Sequence, residues 1–222
     1  MKVIYLFLFV FIAMIARSDD PIVLYDKNDK LLTEWIINDT TLNWSTEDTT
    51  ETLTSWRLQF TLLVEMQGAG TLFYTRNDSH HSSQDTRLKV NNNRTVELSR
   101  KQTLCASSAP VFEYRKKVSV TLDFVSILRP DTQDDKQFLI DSGEFTVCFD
   151  DYVMSYTMND QLSVEYAYLT SGKSRLDSTI NGIYHFSDIE LWQIDDRIIP
   201  EPSTIFMCLM SACGLMLFRR RK

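Results

Sequence analysis

The sequence predicts an all-β protein, an antiparallel β-sandwich of the jelly-roll kind, and two observations support this fold class. Apolar and polar residues alternate through several segments, and polar loops separate these segments at fairly even spacing. Away from the termini, no long segment repeats its apolar residues with the 3.6-residue period of a helix. Because 44% of the 222 residues are hydrophobic and 12% are aromatic, the chain can bury a core, and one domain over residues 19–197 accounts for the body.

The clearest strand is WRLQFTLLVEM, residues 56–66. Its alternation predicts one buried face and one solvated face. The buried set is Trp56, Leu58, Phe60, Leu62, Val64 and Met66, and the solvated set is Arg57, Gln59, Thr61 and Glu65. GTLFYTR follows the Gly68-Ala69-Gly70 turn, so a hairpin between the two segments is expected.

Further strands follow from the same alternation. VSVTLDF directs Val118, Val120, Leu122 and Phe124 inward. EFTVCFDDYVMSYTM predicts a second hairpin, with its turn at Asp150-Asp151. LSVEYAYLT and GIYHFSDIELWQI are expected to be strands as well.

The N-terminus has the features of a secretory signal peptide over residues 1–18. Lys2 precedes an unbroken apolar run from Val3 to Ala16, and small residues precede the polar switch at Asp19. The run is short for an ordinary membrane-spanning helix, so an uncleaved anchor is the weaker alternative.

The C-terminus has an apolar segment followed by positive charges. No residue from Thr204 to Phe218 is charged; as a helix this segment would be roughly 22 Å long, against about 30 Å of hydrocarbon. The basic residues after it can extend the span because their stems reach the headgroup layer. They are Arg219, Arg220, Arg221 and Lys222, and they are expected to stay on the cytoplasmic side.

The last 25 residues resemble a PEP-CTERM sorting signal of Gram-negative bacteria. The motif is Pro200, Glu201, Pro202 and Ser203, before the helix at 204–218 and the basic tail at 219–222. The resemblance implies an exosortase as processing partner and delivery to the cell surface or extracellular matrix. The alternative is a type I protein with a plain anchor, and the glycosylation sequons at Asn38, Asn43, Asn77 and Asn93 fit a eukaryotic protein of that kind.

Residues 56–194 resemble a concanavalin A-like lectin/glucanase domain of the laminin-G type. The segments that carry the likeness are SWRLQFTLLVEMQGAGTLFYTR, YRKKVSVTLDF, FTVCFDDYVMSYT and INGIYHFSDIELWQI. The resemblance implies a carbohydrate or exopolysaccharide ligand. Sugar rings could stack on Tyr152, Tyr156, Tyr166 or Tyr168, although ordinary strand packing is the preferred interpretation for any single tyrosine.

Catalysis by the body is not expected. Glucanases of this superfamily carry three carboxylates at alternating positions of one strand, and Asp188 and Glu190 form only a pair. His80 and His81 lie in a polar loop, His185 lies in an aromatic strand, and no nucleophile elbow is present. The sequence therefore predicts a non-enzymatic surface or exopolysaccharide-associated protein, with a ligand-free structural protein of the envelope as the alternative and a glycoside hydrolase as the weaker one.

Net charge, loop aspartates and cysteines indicate whether the body could bind nucleic acid, bind calcium or form a disulfide. The two terminal segments together carry +5, so residues 19–200 carry −12 against −7 for the chain, and such a body repels nucleic acid. Loop aspartates suit calcium, but turn chemistry and solubility are the favoured explanation for them, and no metal is assigned. The aspartates are Asp131, Asp134, Asp135, Asp150 and Asp151. Cys105 and Cys148 would permit one disulfide in an exported body.

Overall fold

The computed structural model describes residues 21–26, 31–37, 41–46, 52–66, 68–75, 86–131, 137–169, 174–177 and 182–199. These ranges contain fourteen strands and one short helix, α1 at Gln161–Glu165. The strands are β1 Leu24–Asp26, β2 Glu34–Ile37, β3 Thr41–Thr46, β4 Trp56–Val64, β5 Gly70–Thr75, β6 Thr86–Val90, β7 Val96–Arg100, β8 Gln102–Ala106, β9 Lys117–Pro130, β10 Phe138–Phe149, β11 Tyr152–Met158, β12 Ser174–Asp177, β13 Tyr184–Gln193 and β14 Arg197–Ile198. The prediction of an all-β protein is confirmed.

The strands form two sheets. Sheet I has the order β11-β10-β9-β4-β13-β2, with β14 added beside β9, and sheet II has the order β1-β3-β12-β5-β6-β7-β8. Every described pair is antiparallel except β14 with β9. Buried side chains from both sheets share one hydrophobic cluster, and the Trp56 ring of sheet I lies 5.4 Å from the Phe73 ring of sheet II. The architecture is therefore an antiparallel β-sandwich.

The alternation in β4 is confirmed along the whole strand. Its inward side chains are buried, with relative exposures from 0 to 2%: Trp56, Leu58, Phe60, Leu62 and Val64. The inward assignment of Met66 was wrong, because this side chain is 53% exposed. The strand ends at Val64, and side chains alternate between the two faces only within a strand, so the alternation does not apply to Met66.

Strand β9 and the β10–β11 hairpin also agree with the sequence. Val118, Val120, Leu122 and Phe124 are buried. Phe149 faces Tyr152 across the predicted Asp150-Asp151 turn. Asp150 adopts a positive φ of 46°, which Asp tolerates better than most residues, and its carboxylate accepts a hydrogen bond from the Ser119 backbone at 2.9 Å.

The predicted hairpin between β4 and β5 does not exist. β4 pairs with β9 and β13 in sheet I, whereas β5 pairs with β6 and β12 in sheet II. The residues between them carry the chain across the core instead of reversing it within one sheet. The buried Tyr184 hydroxyl donates to the Gly68 carbonyl at 2.8 Å and holds this crossing in place.

The predicted strand at LSVEYAYLT was also wrong, because helix α1 occupies its first half. Asp160 caps the helix by accepting a hydrogen bond from the Ser163 backbone, and this local bond competes with a ladder. Among the described residues of this segment, only Leu169 makes a bridge, exchanging backbone hydrogen bonds with Leu53.

Cys105 and Cys148 are both free, so the bridge that the sequence permitted does not form in the structure. Cys105 lies on β8 of sheet II, while Cys148 lies on β10 of sheet I. Cys148 alternates with the buried Val147 and Phe149 and therefore points away from the core. Burial raises the pKa of both thiols.

The terminal segments lie outside the described residues. These are the predicted signal peptide at 1–18, the motif at 200–203, the helix at 204–218 and the basic tail at 219–222. No helix within the part of the chain that the structure describes is long and apolar enough to cross a bilayer.

Candidate functional site

The outward side chains of sheet I form a polar surface, here called the outer face. Alternation points every second residue of β4, β9, β10, β11 and β13 away from the core, and the register aligns these residues in rows across the strands. One row contains Ser155, Thr146, Asp123, Arg57 and Trp192, and the next contains Val153, Cys148, Thr121, Gln59 and Glu190. Five strands thus present donors, acceptors and one indole on one surface.

Arg57 and Asp123 form the centre of the outer face. Arg57 Nε donates to Asp123 Oδ1 at 2.7 Å, and Nη2 donates to Oδ2 at 2.6 Å. Both side chains keep solvent contact, with relative exposures of 36% and 18%. The bond to Asp123 raises the pKa of the Arg57 guanidinium. Because two hydrogen bonds to Asp123 fix the Arg57 guanidinium, its remaining N–H groups also have fixed positions.

Gln59 and Glu190 make the equivalent contact in the second row. Gln59 Nε2 donates to Glu190 Oε2 at 2.6 Å, and both side chains are half-buried. The amide oxygen of Gln59 and the second carboxylate oxygen of Glu190 are not used in this bond. They leave acceptors beside the Arg57 donors.

A bulge in β13 decides which side chains reach the outer face. Ser187 pairs with Thr61 and Glu190 pairs with Gln59, so Asp188 and Ile189 together face one residue of β4. Before the bulge the even-numbered Tyr184 and Phe186 are buried. After it the odd-numbered positions 189 and 191 are buried. The extra residue thereby turns positions 190 and 192 outward.

Trp192 is the aromatic group that this bulge places on the outer face. It lies directly opposite Arg57 in the ladder and is half-buried. Reasoning from the sequence missed this residue, because uninterrupted alternation from Tyr184 buries position 192. The local signal was Asp188, which has a positive φ of 54° and is of a residue type that accepts this conformation.

The structure does not combine Asp188 and Glu190 into a catalytic pair. Asp188 is the exposed bulge residue and accepts a hydrogen bond from Ser187 Oγ at 3.0 Å. Glu190 is engaged by Gln59. His185 lies on the same strand, where Nε2 is 3.1 Å from Glu65 Oε1. His80 and His81 lie outside the described residues.

The four tyrosines suggested for sugar stacking are engaged with the protein. Tyr152, Tyr156 and Tyr168 are half-buried and pack against the core. Tyr168 meets the Phe124 ring edge-on at 6.3 Å, and burial raises its pKa. The Tyr166 ring carries the Arg100 guanidinium 4.7 Å from its centre. For three of the four, the packing interpretation describes what the structure shows.

No group of three metal-ligating side chains occurs among the described residues. Asp150 serves the β10–β11 turn through its bond from Ser119, and Asp131 directly follows β9, where its backbone N–H donates to the Gln137 carbonyl at 2.9 Å. Asp134 and Asp135 lie outside the described ranges. Calcium remains without an assigned site.

Comparison with known proteins gives similarity in structure alone. No protein-family model matches the chain, and no curated protein matches it.

Similar solved structures include arcelin-5, a lectin-like defence protein from Phaseolus vulgaris, with 9% identity, a TM-score of 0.42, and coverage of 80% of this chain and 94% of that chain. Alginate lyase AlgAT5 of Polysaccharide Lyase family 7 has 7% identity, a TM-score of 0.45, and coverage of 77% and 92%. A protein of unknown function with a galectin-like fold from Bacillus subtilis has 12% identity, a TM-score of 0.44, and coverage of 78% and 90%.

Proposed function

We propose that the protein is a non-enzymatic carbohydrate-binding protein of the cell surface and that its outer face holds the glycan. The observation that carries this proposal is the row in which Asp123, Arg57 and Trp192 stand side by side on adjacent strands. It combines fixed hydrogen-bonding groups with an aromatic ring on a surface that solvent reaches.

Sugar hydroxyls act both as donors and as acceptors, so they need both kinds of partner. Arg57 supplies donors, Glu190 and Gln59 supply acceptors, and the hydroxyls of Thr121 and Thr146 supply both. The internal bonds of Arg57 and Gln59 hold these groups in place before a ligand arrives. Little side-chain entropy is then lost on binding.

Trp192 offers what the polar groups lack. The C–H face of a sugar ring is apolar and packs against an aromatic ring, while the indole N–H remains available as a donor. An aromatic anchor beside fixed polar groups is the arrangement in which a few residues dominate binding energy.

The first experiment is a glycan-array screen of the full chain purified in detergent. The change Trp192→Ala should weaken binding of the captured glycan by about tenfold or more, which corresponds to roughly 1.4 kcal/mol. Leu162→Ala removes an apolar side chain that is 54% exposed on α1, away from the outer face, and should leave affinity unchanged. If no glycan is captured, the structural alternative replaces this proposal.

We further propose that a signal peptide exports the chain and that an exosortase processes it at Pro200–Ser203. The described chain ends directly before this motif. Ile199 donates its backbone N–H to the Leu128 carbonyl at 2.8 Å, and Arg197 forms an ion pair with Glu144 at 3.2 Å. A cut within the motif would therefore leave β14 attached to the body.

Intact-mass measurement tests the sorting proposal. The full chain is expressed in a strain with an exosortase and in a matched strain without it. A product ending near residues 200–203 only in the first strain supports the proposal. A chain that keeps Arg219 to Lys222 in both strains would identify a plain anchor instead.

A further inference from the structure

A hollow of about 400 Å³ lies next to the outer face, where three chain connections meet. Its apolar floor contains Phe112 and Val118, which are 6% and 4% exposed. Its rim carries Arg94, Lys116 and Lys117. The volume falls in the range of pockets that hold small ligands or parts of larger ones.

Backbone hydrogen bonds build the hollow in advance of any ligand. The connection between β8 and β9 folds back over the β6–β7 turn, and Val111 donates its backbone N–H to the Arg94 carbonyl at 3.1 Å. Arg115 donates its backbone N–H to the Val64 carbonyl at 2.8 Å, and this bond fixes the end of the connection against β4. The Arg94 guanidinium lies 5.7 Å from the centre of the Tyr114 ring. The cationic rim therefore has a defined shape.

The cations at the rim outnumber the carboxylates that line the hollow by one, because Arg94, Lys116 and Lys117 stand against Glu113 and Asp150. Lys116 contacts Glu113 at 3.8 Å, but both side chains are about two-thirds exposed, and such a pair is weak. Asp150 accepts a hydrogen bond from the Ser119 backbone and forms no ion pair with a described residue. Among the described residues, neither Arg94 nor Lys117 has a carboxylate partner within ion-pair distance. Cations left available are unexpected in a body that carries −12.

The hollow also lies in line with the outer face along strand β9. Lys117, Ser119, Thr121 and Asp123 follow one another on the outward side of β9, and Lys117 also lines the hollow. Asp123 lies six positions along the strand from Lys117, a distance of about 20 Å. An extended polysaccharide lying along β9 would therefore reach from the Arg57–Asp123 row to the cationic rim.

We infer that the ligand is an anionic polysaccharide, whose carboxylate or sulfate groups are held at the rim by Arg94, Lys116 and Lys117. This inference rests on the proposed glycan-binding function and adds the substrate class. The apolar floor accepts the ring of the charged sugar, while the cations accept its anionic group. Since the remaining surface is acidic, the rim also determines where along the face an anionic chain can lie.

The test compares three polymers on the full chain in detergent at low salt: polygalacturonate, dextran sulfate and neutral dextran. Lys117→Glu reverses an exposed charge at the rim, and Lys101→Glu makes the same change at the β7–β8 turn, at the far end of β7 from Arg94. Lys117→Glu should lower affinity for an anionic polymer by at least tenfold, and Lys101→Glu by less than twofold. Rising salt should weaken wild-type binding. The carboxylated and sulfated polymers separate the two sources of negative charge.

Two results would overturn the inference while the proposed function stands. One is a glycan, neutral or anionic, whose binding Trp192→Ala abolishes and Lys117→Glu leaves unchanged. The other is an equal loss in both lysine variants, which indicates net charge and not the rim. Absence of binding to every polymer and every arrayed glycan would remove the proposed function together with the inference.

Discussion

Two tryptophans on opposite faces of sheet I should respond differently to the same substitution. Trp56 is fully buried, its Nε1 donates to the Ala167 carbonyl at 3.0 Å, and its ring lies 5.9 Å from that of Phe145. Trp192 is half-buried on the outer face. Replacing each in turn by Phe separates the contribution of the core from that of the surface.

The expected magnitude follows from the lost groups. Trp56→Phe removes the donor to a buried carbonyl, which costs about 1–3 kcal/mol, and leaves a void where the larger ring was. We expect a total near 3 kcal/mol, or a decrease in Tm of roughly 6–12 °C for a chain of this size. Trp192→Phe leaves no buried group without a partner and should stay within about 0.5 kcal/mol.

Thermal and urea unfolding of both variants, followed by circular dichroism, measure the difference. Equal losses of stability in the two variants would refute the assignment of Trp56 to the core and Trp192 to the surface. A loss larger for Trp192→Phe would also show that the bulge in β13 does not turn position 192 outward.

Three further tests, with four variants, concern other parts of the fold. Gly143→Ala should destabilise by about 1–3 kcal/mol in urea, because a Cβ would lie 2.8 Å from the buried Phe124 ring; an unchanged midpoint would contradict this packing. Because both cysteines are free, Cys105→Ser and Cys148→Ser, each unfolded without reductant, should lower the free energy of unfolding by less than the contribution of a disulfide, which is about 2–4 kcal/mol. A decrease as large as that contribution would indicate a disulfide between them. Burial raises the pKa of Tyr184 to about 12. The neutral Tyr184 side chain should therefore contribute fully to the free energy of unfolding below about pH 10, near the pKa of tyrosine in the unfolded chain, and this contribution should be lost as pH rises toward 12. The variant Tyr184→Phe should not show this pH-dependent loss. Parallel stability profiles of the wild type and the variant would refute the prediction.

The alternation of apolar and polar residues was sufficient to predict those strands that bury one face in the hydrophobic core. β4, β9 and the β10–β11 hairpin follow the period of two, because each contributes every second side chain to the shared hydrophobic cluster. The division of strands between sheets was not predictable in this way. A Gly-rich turn after Val64 is equally compatible with a hairpin and with a crossing, and the bond from Tyr184 to Gly68 that accompanies the crossing joins residues 116 positions apart.

The candidate site was only half visible in the sequence. Arg57 and Gln59 were assigned to the solvated face correctly, but their neighbours Asp123, Glu190 and Trp192 depend on strand register. Register is set by packing over the whole sheet, and in β13 a bulge changes it within the strand. Helix α1 shows the reverse case, in which a local cap at Asp160 overrides a pattern that favours a strand.

The most direct test of the glycan-binding proposal is to follow the four tryptophan indole N–H signals by NMR during titration with a captured oligosaccharide. Substitution assigns the signals of Trp56 and Trp192. The proposal predicts that the Trp192 signal shifts with saturation while the Trp56 signal, buried beneath the same sheet, keeps its position. A saturable ligand that leaves the Trp192 signal unmoved would contradict binding at the outer face.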